Sequence, residues 1–235
     1  MAFKNVLHAV RKEKPLVQCI TNIVTVNDCA NIILASGGSP TMASHPLEVE
    51  EAVHNVQALV CNMGAIDKAD SMILAGREAN RLGTPVILDP VGAGGTQLRR
   101  EAVKQLLHEV HFTAIRGNAS EIRYLAGQQT TGSGVDVSDL DEINEENLSA
   151  AVSMAADLAK RLETVIAISG KIDVISSGKE TCVLRNGCAT MARITGSGCM
   201  LTSLIGAFCG AWRDPFPATC AAMAAMGYCE NRLRL

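Results

Sequence analysis

Short apolar runs alternate with helical stretches along almost the whole chain, and this alternation limits the folds open to it. Strand-length runs occur at Leu16–Ile20, Ala58–Met63, Val86–Leu88, Thr113–Ile115 and Val165–Ser169. Helical patterns fall at Val26–Ala35, Leu47–Val56, Ala69–Leu82, Gln97–His108, Ala119–Ala126, Glu145–Leu162, Met200–Ala211 and Pro217–Arg232. Such alternation predicts βαβ units, with a mostly parallel sheet buried between two helical layers. A hairpin is expected at Asp173–Ser176 and Glu180–Leu184, joined by Ser177-Gly178-Lys179. The acidic stretch Asp136–Glu146 reads as a surface loop rather than a domain boundary, so residues 1–235 are read as a single α/β domain. Hydrophobic residues make up 48% and aromatics 3%, so the core must be aliphatic.

The residues that end the strands carry the chemistry. In order they are Thr21-Asn22, then Asn62 and Gly64, then Asp89-Pro90-Val91-Gly92-Ala93-Gly94-Gly95, then Arg116-Gly117-Asn118, and finally Ser169-Gly170. In a parallel sheet these ends share one edge, the edge where open α/β sheets bind ligands. A glycine-rich turn, Thr195-Gly196-Ser197-Gly198-Cys199, precedes the apolar run Met200–Trp212. That run is too short to span a membrane and reads as a buried helix. Glycines before a helix let N–H groups converge, and the helix N-terminus adds positive partial charge, which makes an anion cradle. A cysteine in that first turn would have its thiol pKa biased downward. The plainer reading is a loop with a buried, inert cysteine.

Each other candidate also has two readings. Asp89 could hold Mg²⁺ on this rim, or it could make an Asx turn. Glu121 could be a second carboxylate beside it, or it could complete a capping box with Asn118. Arg116, at the end of an apolar strand, could face a phosphate or pair with Glu121. Met42 could line a site for an apolar ring or fill the core. The five histidines show no ligand spacing, and no nucleophile elbow or Walker sequence occurs.

The formal charge of −3 gives no reason to expect nucleic acid. Neither a signal peptide nor a membrane span is evident. The nine cysteines form no Cys-x-x-Cys pair, which fits reduced thiols and a cytoplasmic protein.

Five segments occur together and in order: Cys19-Ile20-Thr21-Asn22, Gly38-Ser39-Pro40-Thr41-Met42, Leu88-Asp89-Pro90-Val91-Gly92-Ala93-Gly94, Ala114-Ile115-Arg116-Gly117-Asn118-Ala119-Ser120-Glu121 and Thr195-Gly196-Ser197-Gly198-Cys199. Over about residues 5 to 230 the chain resembles the hydroxyethylthiazole kinases of the ribokinase-like superfamily. The resemblance implies a ribokinase-like three-layer α/β/α fold. It implies phosphorylation of 4-methyl-5-(2-hydroxyethyl)thiazole with ATP and Mg²⁺ in thiamine salvage. It also implies a homotrimer with the thiazole near a subunit boundary. By the same resemblance Cys199 is the catalytic residue, standing where most of the superfamily carries an aspartate base. Arg116, Ser169, Asn118 and Gly198 would face ATP, and Met42, Gly196 and Asn22 the thiazole. Asp89 and Glu121 would serve the metal. Ser169 departs from a frequent threonine but keeps the hydroxyl. The relatives continue through a Gly-Pro-Gly loop and a further helix, so an end at Leu235 is read as a truncated or atypical C-terminus. Two alternatives remain: a related kinase of a hydroxymethylpyrimidine or a sugar, and a non-catalytic thiazole- or nucleotide-binding regulator.

Overall fold

A computed structural model of the chain describes residues 3–128, 142–187, 191 and 193–232, with side chains through Cys229. The strands are β1 (Leu16–Ile20), β2 (Ser39–Thr41), β3 (Ala58–Asn62), β4 (Val86–Asp89), β5 (Ala114–Gly117), β6 (Val165–Ile168), β7 (Asp173–Ser176) and β8 (Thr181–Leu184). They form one sheet in the order β2-β1-β3-β4-β5-β6-β7-β8. The pairs from β2 to β6 are parallel, and the β6–β7 and β7–β8 pairs are antiparallel. This is the expected mostly parallel sheet, closed by the expected hairpin.

Side-chain alternation divides the core into two. Ile20, Leu59, Cys61, Leu88, Ile115 and Ile166 pack with helices α3 (Val49–Val53), α4 (Ala69–Leu82), α5 (Gln97–Glu109), α6 (Ala119–Leu125) and α7 (Leu148–Leu162). The intervening residues Val17, Cys19, Val60, Ile87 and Ala167 face α1 (Phe3–Glu13), α2 (Val26–Ser36), α8 (Ser197–Ala211) and α9 (Pro215–Arg232). Both faces of the central strands are therefore covered, which is why their sequences are almost uniformly apolar. The strand order reverses at β1, since β2 lies on one side and β3 on the other. A reversal of this kind opens a crevice beyond the carboxyl ends of the strands.

Two elements are absent from the sequence reading. Gly38–Met42, read as a loop after a helix, contains the edge strand β2, which pairs Ser39, Pro40 and Thr41 with β1. Pro40 is tolerated there because it lies on an edge. The charged N-terminus forms α1, which buries Val6 and Val10. Most of Asp136–Glu146 lies outside the described residues.

Candidate active site

The carboxyl ends of β3 to β6 carry a closely bonded polar cluster. Asp89 ends β4 and is fully buried. Its Oδ2 accepts hydrogen bonds from Thr202 Oγ1 at 2.8 Å and Asn62 Nδ2 at 3.1 Å, and the Arg116 Nη1 lies 3.6 Å away. Its Oδ1 is buried without a hydrogen-bond partner among the described residues. Burial pushes the Asp89 pKa up, against the Arg116 charge and the Thr202 hydrogen bond.

Glu121 fulfils the capping-box reading. Asn118 caps α6 by accepting from the Glu121 N–H, and Glu121 Oε2 accepts from the Asn118 N–H at 2.8 Å. Its other oxygen, Oε1, accepts from the Gly92 N–H at 2.9 Å and so ties α6 to the glycine-rich turn after β4. Burial and then the nearby Asp89 charge raise the Glu121 pKa to about 7. The two carboxylates are thus close enough to oppose each other's ionisation. The cap and the second-carboxylate readings are both compatible with this side chain.

The ion pair expected between Arg116 and Glu121 is replaced by one with Asp89. Arg116 Nη2 donates to Ser169 Oγ at the end of β6, and Nε has no partner among the described residues. The guanidinium lies across the first turn of α8. A Cβ on Gly198 would collide with Arg116 Nη1, so only glycine lets the two approach. α8 begins at Ser197, three residues before the expected start, with Gly196 as its N-cap. Gly198 and Cys199 therefore lie in the first turn, whose N–H groups have no intrahelical acceptors. A guanidinium and a helix N-terminus facing one spot suit an anion.

The Cys199 sulfur accepts from Asn22 Nδ2 at 3.6 Å. The downward bias expected for this thiol is overturned: burial and then the Asp89 charge raise its pKa, outweighing the polar Asn62 and Thr25 side chains, which lower it. Asn22 is held by its own turn, accepting from the Thr25 N–H at 3.1 Å. Met42 directly follows β2, on the same rim, and is half-buried. Gln18 Nε2 pins the next residue by donating to Ala43 O at 3.0 Å.

The sequence reading missed Thr202 as a site residue and did not weigh Asn62 beyond its place on the rim. Thr202 is one helical turn after Gly198, and a hydroxyl in so apolar a run was the available signal. Among the described residues no group of three or more His, Cys, Asp or Glu could hold a metal. The carboxylate pair suits Mg²⁺, which binds through few carboxylates and keeps several waters. The unpartnered Asp89 Oδ1 and the raised Glu121 pKa are both what a cation would relieve.

Residues 7–233 match the model of the hydroxyethylthiazole kinase family. The chain belongs to that family. The hydroxyethylthiazole kinase of Desulfovibrio desulfuricans is 46% identical over 96% of this chain and 80% of its own length. That of Thermoanaerobacter pseudethanolicus is 47% identical over 97% of this chain and 85% of its own. The solved hydroxyethylthiazole kinase structure from Pyrococcus horikoshii superposes with a TM-score of 0.87 at 34% identity, covering 98% of this chain and 84% of that one. A ribokinase-like superfamily protein from Enterococcus faecalis has a TM-score of 0.66 at 10% identity, which supports the ribokinase-like fold alone. The hydroxyethylthiazole kinase family is thus joined here to a half-buried arginine, two buried carboxylates and a cysteine near one helix N-terminus.

Proposed function

We propose that this chain transfers the γ-phosphoryl group of ATP to the hydroxyl of 4-methyl-5-(2-hydroxyethyl)thiazole, as in thiamine salvage. The observation that carries this reading is the meeting of Arg116 with the first turn of α8, beside Asp89 and Glu121, in a chain of this family. Phosphoryl transfer passes through a loose transition state, so positioning and charge neutralisation dominate. The Gly198 and Cys199 N–H groups and the Arg116 guanidinium would hold phosphoryl oxygens. Ser169 would keep the guanidinium turned toward them, and Asn118 would fix Glu121. Asp89 and Glu121 would hold a magnesium ion, which when bound neutralises phosphate charge.

Met42 would pack against the thiazole ring, with Asn22 and Gly196 beside its hydroxyethyl arm. Cys199 would orient the hydroxyl by accepting its hydrogen bond at Sγ. A thiol whose pKa is raised is a weak base, and a loose transition state releases the proton late, so a strong base is not needed.

A homotrimer in the cytoplasm completes the proposal. Ile23, Val24 and Leu47 are 90%, 69% and 89% exposed and follow β1 and β2 on the same rim as the site. Large apolar side chains so exposed beside a site suit an interface. No helix among the described residues is long and apolar enough to cross a membrane.

The test is ADP release by purified protein with ATP and Mg²⁺. Release that depends on the thiazole alcohol, and not on a hydroxymethylpyrimidine or a sugar, supports the proposal. Binding of the thiazole with no ADP formed would favour the regulator, and a preference for another alcohol would favour the related kinases.

A further inference from the structure

Arg99 and Arg100 stand in the first turn of α5, which carries no acidic residue. A helix N-terminus disfavours cations, so local helix chemistry does not account for them there. Their side chains reach out to carbonyl oxygens of neighbouring loops. Arg100 Nη1 donates to Gly94 O at 3.0 Å. Arg99 Nη1 donates to Met63 O at 2.7 Å, just beyond β3, and to Val91 O at 2.8 Å, just beyond β4.

Val91 lies in a tight turn, Pro90-Val91-Gly92-Ala93, closed by the Ala93 N–H donating to Pro90 O at 3.0 Å. Gly92 has a φ of +65° and Val91 is not among the non-glycine residues of positive φ, which makes the turn type II. The peptide group at its centre is held at both ends. Its carbonyl, from Val91, accepts from Arg99, and its N–H, from Gly92, donates to Glu121 Oε1 at 2.9 Å. A peptide group is planar, so these two bonds fix a single orientation together. Glycine takes φ of either sign about equally well. In a type I turn the central peptide is turned over, and its N–H would face away from Glu121. The chain at Gly92 does not choose between the two turns, and the arginine does.

From this geometry we infer that Arg99 is a positioning residue for Glu121: it holds the Val91–Gly92 peptide in the orientation that offers its N–H to the carboxylate. The inference rests on the proposed kinase reading, in which Glu121 serves the metal. Arg99 touches no reacting atom in this account and acts through one peptide group.

Two variants disturb that peptide in different ways. Arg99→Met keeps an apolar stem and deletes both hydrogen bonds. Gly92→Ala keeps Arg99 but penalises positive φ, which favours the turned-over peptide. The added methyl has room, since its nearest neighbour would be Arg99 Cδ at 3.4 Å. The first readout is backbone amide exchange in metal-free protein, followed residue by residue by NMR. Exchange at position 92 should quicken by about tenfold or more in either variant, as a lost charge-assisted hydrogen bond allows. Ala93 and Gly95, which donate to Pro90 O and Gly92 O within the turn, should exchange as in the unaltered protein. The second readout is the Mg²⁺ concentration for half-maximal rate, which should rise by about tenfold or more when a metal-holding carboxylate loses its partner. The double variant should be no worse than Arg99→Met, because both changes act through the same peptide.

Equal quickening at positions 92, 93 and 95 would overturn the inference, since Arg99 would then only keep the turn folded. So would unchanged exchange at position 92, or additive losses in the double variant. Exchange that follows the expected pattern in a protein forming no thiazole-dependent ADP would sink the kinase reading and keep the role of Arg99. Should Arg99→Met not fold, Gly92→Ala carries the same comparison.

Discussion

Arg116 shows how a single side chain is committed by its surroundings. Only 11% of it is exposed, its charge is balanced by Asp89, and Ser169 fixes one arm. Its Nε is left for a ligand. Arg116→Ala should reduce kcat/KM for ATP by about tenfold to hundredfold, the range for a charge-assisted hydrogen bond. Steady-state kinetics with ATP varied is the check, and unchanged constants would make the residue structural. Cys199 tests a different point. With its pKa raised by burial and by Asp89, the thiol is an orienting group more than a base. Cys199→Ala should therefore cost less than the roughly 10²–10⁴-fold of general base catalysis, and Cys199→Asp should remain active. An inactive but folded Asp variant would contradict this. Glu121 makes a prediction about stability. Its pKa is raised in the folded state from the ordinary 4.5 to about 7. The folded protein then binds a proton that the unfolded chain has released, so this contribution is whole below pH 4.5 and is lost as the pH rises through 7. Asp89 shifts in the same direction. Glu78 and Glu109, both half-buried, and the exposed Glu145 shift the opposite way, and their contribution is lost at lower pH. In metal-free buffer Tm should decline over that window, and Glu121→Gln should flatten the decline. Thermal melts across the range decide it.

At the level of elements, the first turn of α8 separates binding from stability. Gly198→Ala gains up to about 1 kcal/mol of helix propensity, set against a weakened Arg116–Asp89 pairing, so Tm should change little. The same methyl displaces the Arg116 guanidinium, so KM for ATP should rise. Parallel loss of both would show that the turn matters only to the fold. Most strands and their order of polar ends were legible because parallel strands buried on both faces are uniformly apolar and end abruptly. β2 was hidden, since three residues including Pro40 carry too little apolar signal and depend on pairing with β1. α1 was hidden behind its charges, with Val6 and Val10 as its only buried residues. The site was legible as a list of strand ends but not as a network. Arg116 sits nearer in sequence to Glu121, yet the sheet places β4 beside β5 and brings Asp89 to it. Thr202 and Asn62 read as ordinary polar residues until the tertiary structure set them against Asp89. The direction of the Cys199 pKa was also beyond the sequence, because local helix geometry lowers it while burial and Asp89, set by packing, raise it.

For the whole molecule, the exposed Ile23, Val24 and Leu47 predict assembly. Sedimentation should give three times the 24.8 kDa of one chain. An Ile23→Asp, Val24→Asp variant should shift toward monomer and raise KM for the thiazole more than for ATP. A monomeric wild-type chain with full activity would remove the interface from the account. The central claim is that the alcohol oxygen of the thiazole attacks phosphorus on this rim. It is tested most directly with thiazole carrying ¹⁸O in its hydroxyl, incubated with ATP, Mg²⁺ and the protein, with the product read by ³¹P NMR. The expected product is a phosphate ester whose bridging oxygen retains the label. A product without the label, or ADP formed with no labelled ester, would contradict it.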